Sequence, residues 1–140
     1  MSDGPERKAV WHLQMGEKLL AEGKAALAKR MFADGLKLDA ANIPLQAGLV
    51  EAMLQLNEAD DALKELAKLP PAALAPWQQN LLRGKALVGL GRWQEAKVTV
   101  QAALADRPDS ADAMYLMGRI YEQEKDWANA AKMYRGARER

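Results

Sequence analysis

One spacing governs this chain. Gly118, Tyr121, Ala130, Tyr134 and Ala137 near its end are matched 34 residues earlier by Gly84, Leu87, Ala96, Val100 and Ala103. The same 34-residue interval leads back to Val50, Met53, Ala62, Leu66 and Leu69, and a third interval reaches Gly16, Leu19, Ala28, Phe32 and Gly35. Self-similarity at a fixed period of this length marks a repeat architecture, in which each copy is one supersecondary unit that buries its apolar face against its neighbours. The 140 residues, 49% of them hydrophobic, suffice for a continuous core. Aromatics make up only 6%, and Ala and Leu carry the apolar content, which favours close-packed helices over sheet. Almost no strand is expected.

Punctuation divides the copies into helix pairs. After a polar lead over residues 1–8, Trp11, Met15, Leu19 and Leu20 recur at helical spacing until Glu22-Gly23, where glycine suits a left-handed cap. A second helix spans Ala25 to Leu38 and stops at Asp39-Ala40-Ala41-Asn42. Ile43-Pro44 opens the third, because proline in a first turn loses no helical partner, and that helix runs to about Asn57. The fourth starts near Ala59 and is the shortest, since Pro70-Pro71 forbids its continuation and leaves an irregular corner at residues 70–74. The fifth covers roughly Ala75 to Leu90 and ends at Gly91, and the sixth runs from Trp93 to Asp106 ahead of Arg107-Pro108. Asp109 or Ser110 can cap the seventh, which reaches Gln123 or Glu124, and the eighth begins at Trp127. No low-complexity linker interrupts residues 9–140, so no domain boundary is expected inside them.

The 34-residue helix–turn–helix period, with small residues at fixed offsets, resembles the tetratricopeptide repeat over residues 9–140, as copies 9–42, 43–76, 77–110 and 111–140. Met117-Gly118, Tyr121, Ala130, Tyr134 and Ala137 fit the family's pattern throughout, and Met15-Gly16, Leu19, Ala28, Phe32 and Gly35 fit it nearly as well. The resemblance implies an all-α fold, a right-handed superhelical α-solenoid of four helix–turn–helix hairpins with eight antiparallel helices. Gly118 and Ala130 are expected to face each other at the closest approach of their hairpin. The second copy departs from the pattern, with Val50 for glycine, Leu69 for alanine and Pro70-Pro71 at its end; the third has Arg83 where a large apolar residue is usual. A solenoid end needs a polar cover, and Arg138 and Arg140 stand where the first copy has Leu36 and Leu38.

Family members line a concave groove with the first helix of each hairpin. Carried over by position, the groove-facing residues here are Leu13, Ala47, Leu81 and Tyr115 in one row and Leu20, Leu54, Val88 and Glu122 in another. Between them lie Glu17, Glu51, Lys85 and Arg119, two acids followed by two bases. An apolar stripe with this charge order suits a peptide or amphipathic helix, with apolar anchors supplying affinity and charge supplying direction. The expected function is a non-enzymatic scaffold or adaptor that binds a segment of a partner protein. The alternative is self-association, giving a homo-oligomer, or docking within a larger bacterial protein of pilus assembly, secretion, export or signalling. Family members that clamp a chaperone's C-terminal carboxylate use Lys and Asn in the first repeat; Leu13 and Glu17 occupy those places here, and Glu17 would repel a carboxylate.

Other chemistry is sparse. Twenty basic residues against 19 acidic leave a net charge of +1, with no general attraction to nucleic acid or anionic lipid. The charge is uneven: residues 1–70 carry 9 basic and 11 acidic residues, and residues 71–140 carry 11 and 8. The absence of cysteine removes disulfides, thiolate metal sites and cysteine nucleophiles. No signal peptide and no apolar run of about 18–20 residues is visible, so a soluble, cytoplasmic protein without membrane insertion is expected. His12 has no second imidazole at ligand spacing and no nucleophile beside it. Asp60-Asp61, Asp106 and Asp109 read as turn and cap residues, and Gly89-Leu90-Gly91 lacks the strand-to-helix setting of a phosphate loop. Trp93 and Trp127 open their helices at one repeat position and are expected to wedge the turns. No cofactor, metal or catalytic group is expected.

Overall fold

The turns are built at one repeat position four times over. In the computed structural model, which describes residues 4–140, Gly23 (φ 78°), Asn57 (φ 61°), Gly91 (φ 73°) and Lys125 (φ 61°) are left-handed. Each ends the first helix of a hairpin, where a left-handed residue satisfies the last carbonyls and turns the chain. Among the described residues the elements are eight helices and no strand: α1 (Pro5–Ala21), α2 (Ala25–Leu38), α3 (Ile43–Gln55), α4 (Ala59–Ala67), α5 (Pro76–Gly89), α6 (Trp93–Asp106), α7 (Ala111–Gln123) and α8 (Trp127–Arg138).

Starts follow the expected chemistry. Pro44 and Pro76 sit in first turns. Asn42 Oδ1 accepts from the Leu45 N–H at 3.0 Å, Ser110 Oγ from Ala113 at 3.2 Å and Asp126 Oδ1 from Asn129 at 3.3 Å. Of the two residues weighed as cap for α7, Ser110 takes the role. The helix over the lead is longer than its polarity suggested, because Pro5 opens α1 behind Gly4. Residues 1–3 of that lead lie outside the described residues. Asn57 and Leu90 fall outside α3 and α5, since their neighbouring turns close one or two residues earlier.

The chain divides into two compact units, one ending at Ala73 and the other beginning at Leu74. No compositional linker marks this division; it falls in the corner after Pro70-Pro71, where α4 has stopped at Ala67 and α5 has not begun. In the first unit α1 packs on α2, α2 on α3 and α3 on α4, with α1 also touching α3. The second unit repeats these pairings with α5 to α8. Each unit ties its hairpins with a comparable ion pair: Lys29 Nζ to Glu58 Oε1 at 2.8 Å, and Lys97 Nζ to Glu124 Oε2 at 2.9 Å. Both pairs are partly exposed and each stabilises by no more than about 1 kcal/mol.

Small residues receive large ones. Ala28, Ala96 and Ala130 are buried. A Cβ at Gly118 would collide with the Tyr134 ring, and a Cβ at Gly84 would lie 2.6 Å from Val100 Cγ2. The glycine therefore makes room for the bulky residue one turn after the alanine on the facing helix. Phe32 in the first unit is held from two sides: a Cβ at Gly16 or at Gly48 would run into its ring, and its exposure is 0%. The glycine missing at Val50 thus has a counterpart two residues earlier, turned toward the preceding hairpin.

Candidate partner-binding faces

Each unit presents the first helices of its hairpins as a pair, α1 with α3 and α5 with α7. In the first unit Leu13, Leu20, Ala47, Glu51 and Leu54 are half-buried and Glu17 is exposed. The aliphatic side chains there are shared between the packing of α1 against α3 and the surface.

The second unit differs. Leu81 and Val88 are buried, at 9% and 3% exposure, so they belong to the packing and offer little to a ligand. Their helix packs against both α6 and α7. Lys85 is half-buried, with Nζ 3.4 Å from Asp112 Oδ2. Tyr115, Arg119 and Glu122 remain exposed and share one side of α7 by their spacing. Tyr115 is 53% exposed and its ring lies 5.7 Å from that of Tyr134, tilted by 48°. The Tyr134 hydroxyl donates to Glu122 Oε1. Burial, this hydrogen bond and the carboxylate charge push the Tyr134 phenol up to about 12, with the nearby Arg119 guanidinium pulling the other way.

The structure thus brings Tyr115, Arg119, Glu122 and Tyr134 together, and places Glu17 and Glu51 in the other unit. Its repeat position assigns Tyr134 to the core, and its aromatic place in the last copy is the signal that it braces Tyr115. Asp112, two residues before Met114 on α7, was missed as the partner of Lys85; its position in the first turn of a groove helix was the clue.

The remaining candidates resolve simply. His12 Nδ1 donates to the Lys8 carbonyl at 2.7 Å and the ring meets Trp11 edge-on. Asp60 and Asp61 lie in the first turn of α4. Among the described residues no three His, Cys, Asp or Glu side chains gather as a metal would require, and no helix is long and apolar enough to cross a membrane. Trp127 departs from expectation: it is 62% exposed and does not wedge its turn. A buried alanine fills the same repeat position at Ala25 and Ala59, and the indole extends beyond the space an alanine needs.

Two sequence models, each described as the tetratricopeptide repeat, match the chain over residues 19–83 and 81–140. The chain belongs to the tetratricopeptide repeat family. Solved structures carry the same fold. The repeat protein TTC0263 of Thermus thermophilus superposes with a TM-score of 0.80 at 20% identity, over 92% of this chain and 72% of that one. A chain of the APC/C hetero-tetramer Cut9–Hcn1 gives 0.78 at 22% identity over 93% of this chain, which spans only 25% of that one. The second tetratricopeptide repeat domain of human RPAP3, solved in complex with the HSP70 peptide SGPTIEEVD, gives 0.69 at 25% identity, over 84% and 98%. A search of curated proteins found no match. Tetratricopeptide repeats are protein–protein interaction modules, and the helices described above are of that kind.

Proposed function

We propose that the chain is a non-enzymatic interaction module whose paired first helices receive a peptide or helical segment of a partner protein, with the α7 face as the anchoring contact. The observation that carries this reading is the Tyr115 ring, 53% exposed and braced by Tyr134, with the exposed Arg119 one turn further along. Tyrosine and arginine are enriched where interfaces concentrate their energy, and a ring already held in place loses little freedom on contact. Taken separately, the first unit offers apolar and acidic groups at Leu13, Glu17 and Leu20 on its paired first helices, and the second offers aromatic and basic groups at Tyr115 and Arg119.

The peptide complex of the RPAP3 domain supports a peptide as the ligand class. Its acidic sequence is not carried over, since Glu17 opposes an acidic ligand in the first unit. Capture from the lysate of the native host tests the reading, with wild type compared against Tyr115→Ala and Arg119→Glu. Both sites are exposed, so circular dichroism should show unchanged helix content. Partners present with wild type should be depleted about tenfold or more with Tyr115→Ala. Retention of every partner at wild-type level by both folded variants would overturn it. Sedimentation over a range of concentrations separates this function from self-association, which predicts a rising molecular mass.

A further inference from the structure

Among the described residues α8 packs on α7 alone, whereas α2 and α6, the helices of the same kind earlier in the chain, each pack on a helix before and a helix after them. Trp127, Ala131, Tyr134 and Arg138 recur at helical spacing and share one side of α8. The same positions are Ala25, Lys29, Phe32 and Leu36 in α2 and Trp93, Lys97, Val100 and Leu104 in α6. Phe32 and Val100 are fully buried. Tyr134 is half-buried, and Trp127, Ala131 and Arg138 are exposed.

The first unit shows what this side is shaped to take. The Phe32 ring fills the space left by Gly16 of its own hairpin and by Gly48 of α3. Among the described glycines only Gly118, of its own hairpin, stands against the Tyr134 ring. The α3 helix also sets a direction. A Cβ at Gly35, in the last turn of α2, would lie 2.9 Å from Cδ2 of Leu45, in the first turn of α3, so the two helices run antiparallel with Gly48 over the ring. Size is traded at this place: α6 has the smaller Val100 at the position of Phe32, and α7 has Leu116 at the position of Gly48. A helix on Tyr134 therefore needs a small residue there.

Charge narrows the occupant further. Arg135 and Arg138 are exposed and have no ion-pair partner among the described residues. Residues 135–140 hold three arginines and one glutamate. A helix lying on α8 as α3 lies on α2 brings its first turn to this end, where carboxylates are favoured by the arginines and by the helix's own N-terminus. A second copy of the chain is a poor match. Its α1 would bring Trp11 and Gln14 to the positions of Leu45 and Gly48, with Arg7 and Lys8 just ahead of them, cations against cations.

We propose that the outer side of α8 docks a helix of a partner protein, antiparallel to α8, with carboxylates in its first turn beside Arg135 and Arg138 and an alanine or glycine over the Tyr134 ring. Trp127 then lies under the later turns of that helix. The contact is separate from the groove reading above and does not depend on it.

The experiment uses the whole chain labelled with ¹⁵N and follows the Trp127 indole N–H signal. The probes are four blocked, alanine-rich helical peptides of about 20 residues with one leucine stripe. They differ in the first turn, which carries glutamates or lysines, and in the residue over the ring, which is alanine or leucine. A fifth peptide copies residues 5–21 and stands for a second copy. The glutamate peptide with alanine should shift the indole saturably, and its leucine counterpart should bind about tenfold more weakly through overpacking. Arg135→Glu combined with Arg138→Glu, at exposed positions, should keep its helix content and prefer the lysine peptide. Tyr134→Val, which restores the residue found at Val100, should reverse the order of alanine and leucine; the arginine variant carries the test alone if Tyr134→Val loses helix content. Tyr115→Ala should bind as wild type. The proposal is overturned if the glutamate peptide with alanine leaves the indole unmoved at millimolar concentration, if the leucine, lysine or 5–21 peptides bind wild type equally well, if the folded arginine variant keeps the wild-type preference, or if Tyr115→Ala abolishes binding.

Discussion

Tyr134 fills the space left by Gly118 while its hydroxyl reaches Glu122 on the face beside Tyr115. Its phenol is raised from 10.0 to about 12 by burial first, then by the hydrogen bond and the charge of Glu122. Folding therefore favours the neutral phenol: the stabilisation is complete below pH 10, the unfolded value, and is lost as pH rises through about 12. Absorbance titration at high pH should show one tyrosine ionising with a midpoint near 12, and Glu122→Gln should lower that midpoint. A midpoint unchanged in the variant would show that Glu122 does not raise it. Lys125 is the other residue with a distinct local energy. It holds φ 61° where Gly23 and Gly91 hold similar angles without a Cβ. Lys125→Gly should raise stability by about 1 kcal/mol, read as a higher urea midpoint at constant slope.

At the scale of helices, the starts at Ala25, Ile43, Ala59, Trp93, Ala111 and Trp127 were legible from punctuation alone. Proline, glycine and capping side chains act within one turn, so sequence distance is enough to place them. Burial of the candidate site was not legible. Leu81 and Val88 share repeat positions with Leu13 and Leu20, yet the former pair is buried and the latter half-exposed. The difference depends on which side chains project from neighbouring helices, which no spacing along one strand of sequence encodes. Trp127 shows the same limit, since its repeat position opens a helix as expected but does not say where the ring lies. The small positions make a firmer forecast. Ala96, in α6, is fully buried. Ala96→Leu should cost about 1–3 kcal/mol by overpacking, visible as a lower urea midpoint.

Across the whole molecule, several devices recur once per pair of hairpins rather than once per hairpin. The left-handed turns alternate between Gly23 or Gly91 and Asn57 or Lys125. The side-chain caps at Asn42 and Ser110 and the ties from Lys29 and Lys97 each appear once in a unit. The practical length of this chain is therefore counted in steps of 68 residues, although its helices recur every 34. Excising residues 43–76 would set Lys29 opposite Arg92, in the place of Glu58, and replace an attraction by a repulsion. Excising residues 43–110 would set Lys29 opposite Asp126 and preserve the sign. The two deletions therefore differ in the sign of this tie, a contribution of no more than about 1 kcal/mol. Lengthening follows the same grammar, so a chain grown by whole units keeps every junction in its original charge register.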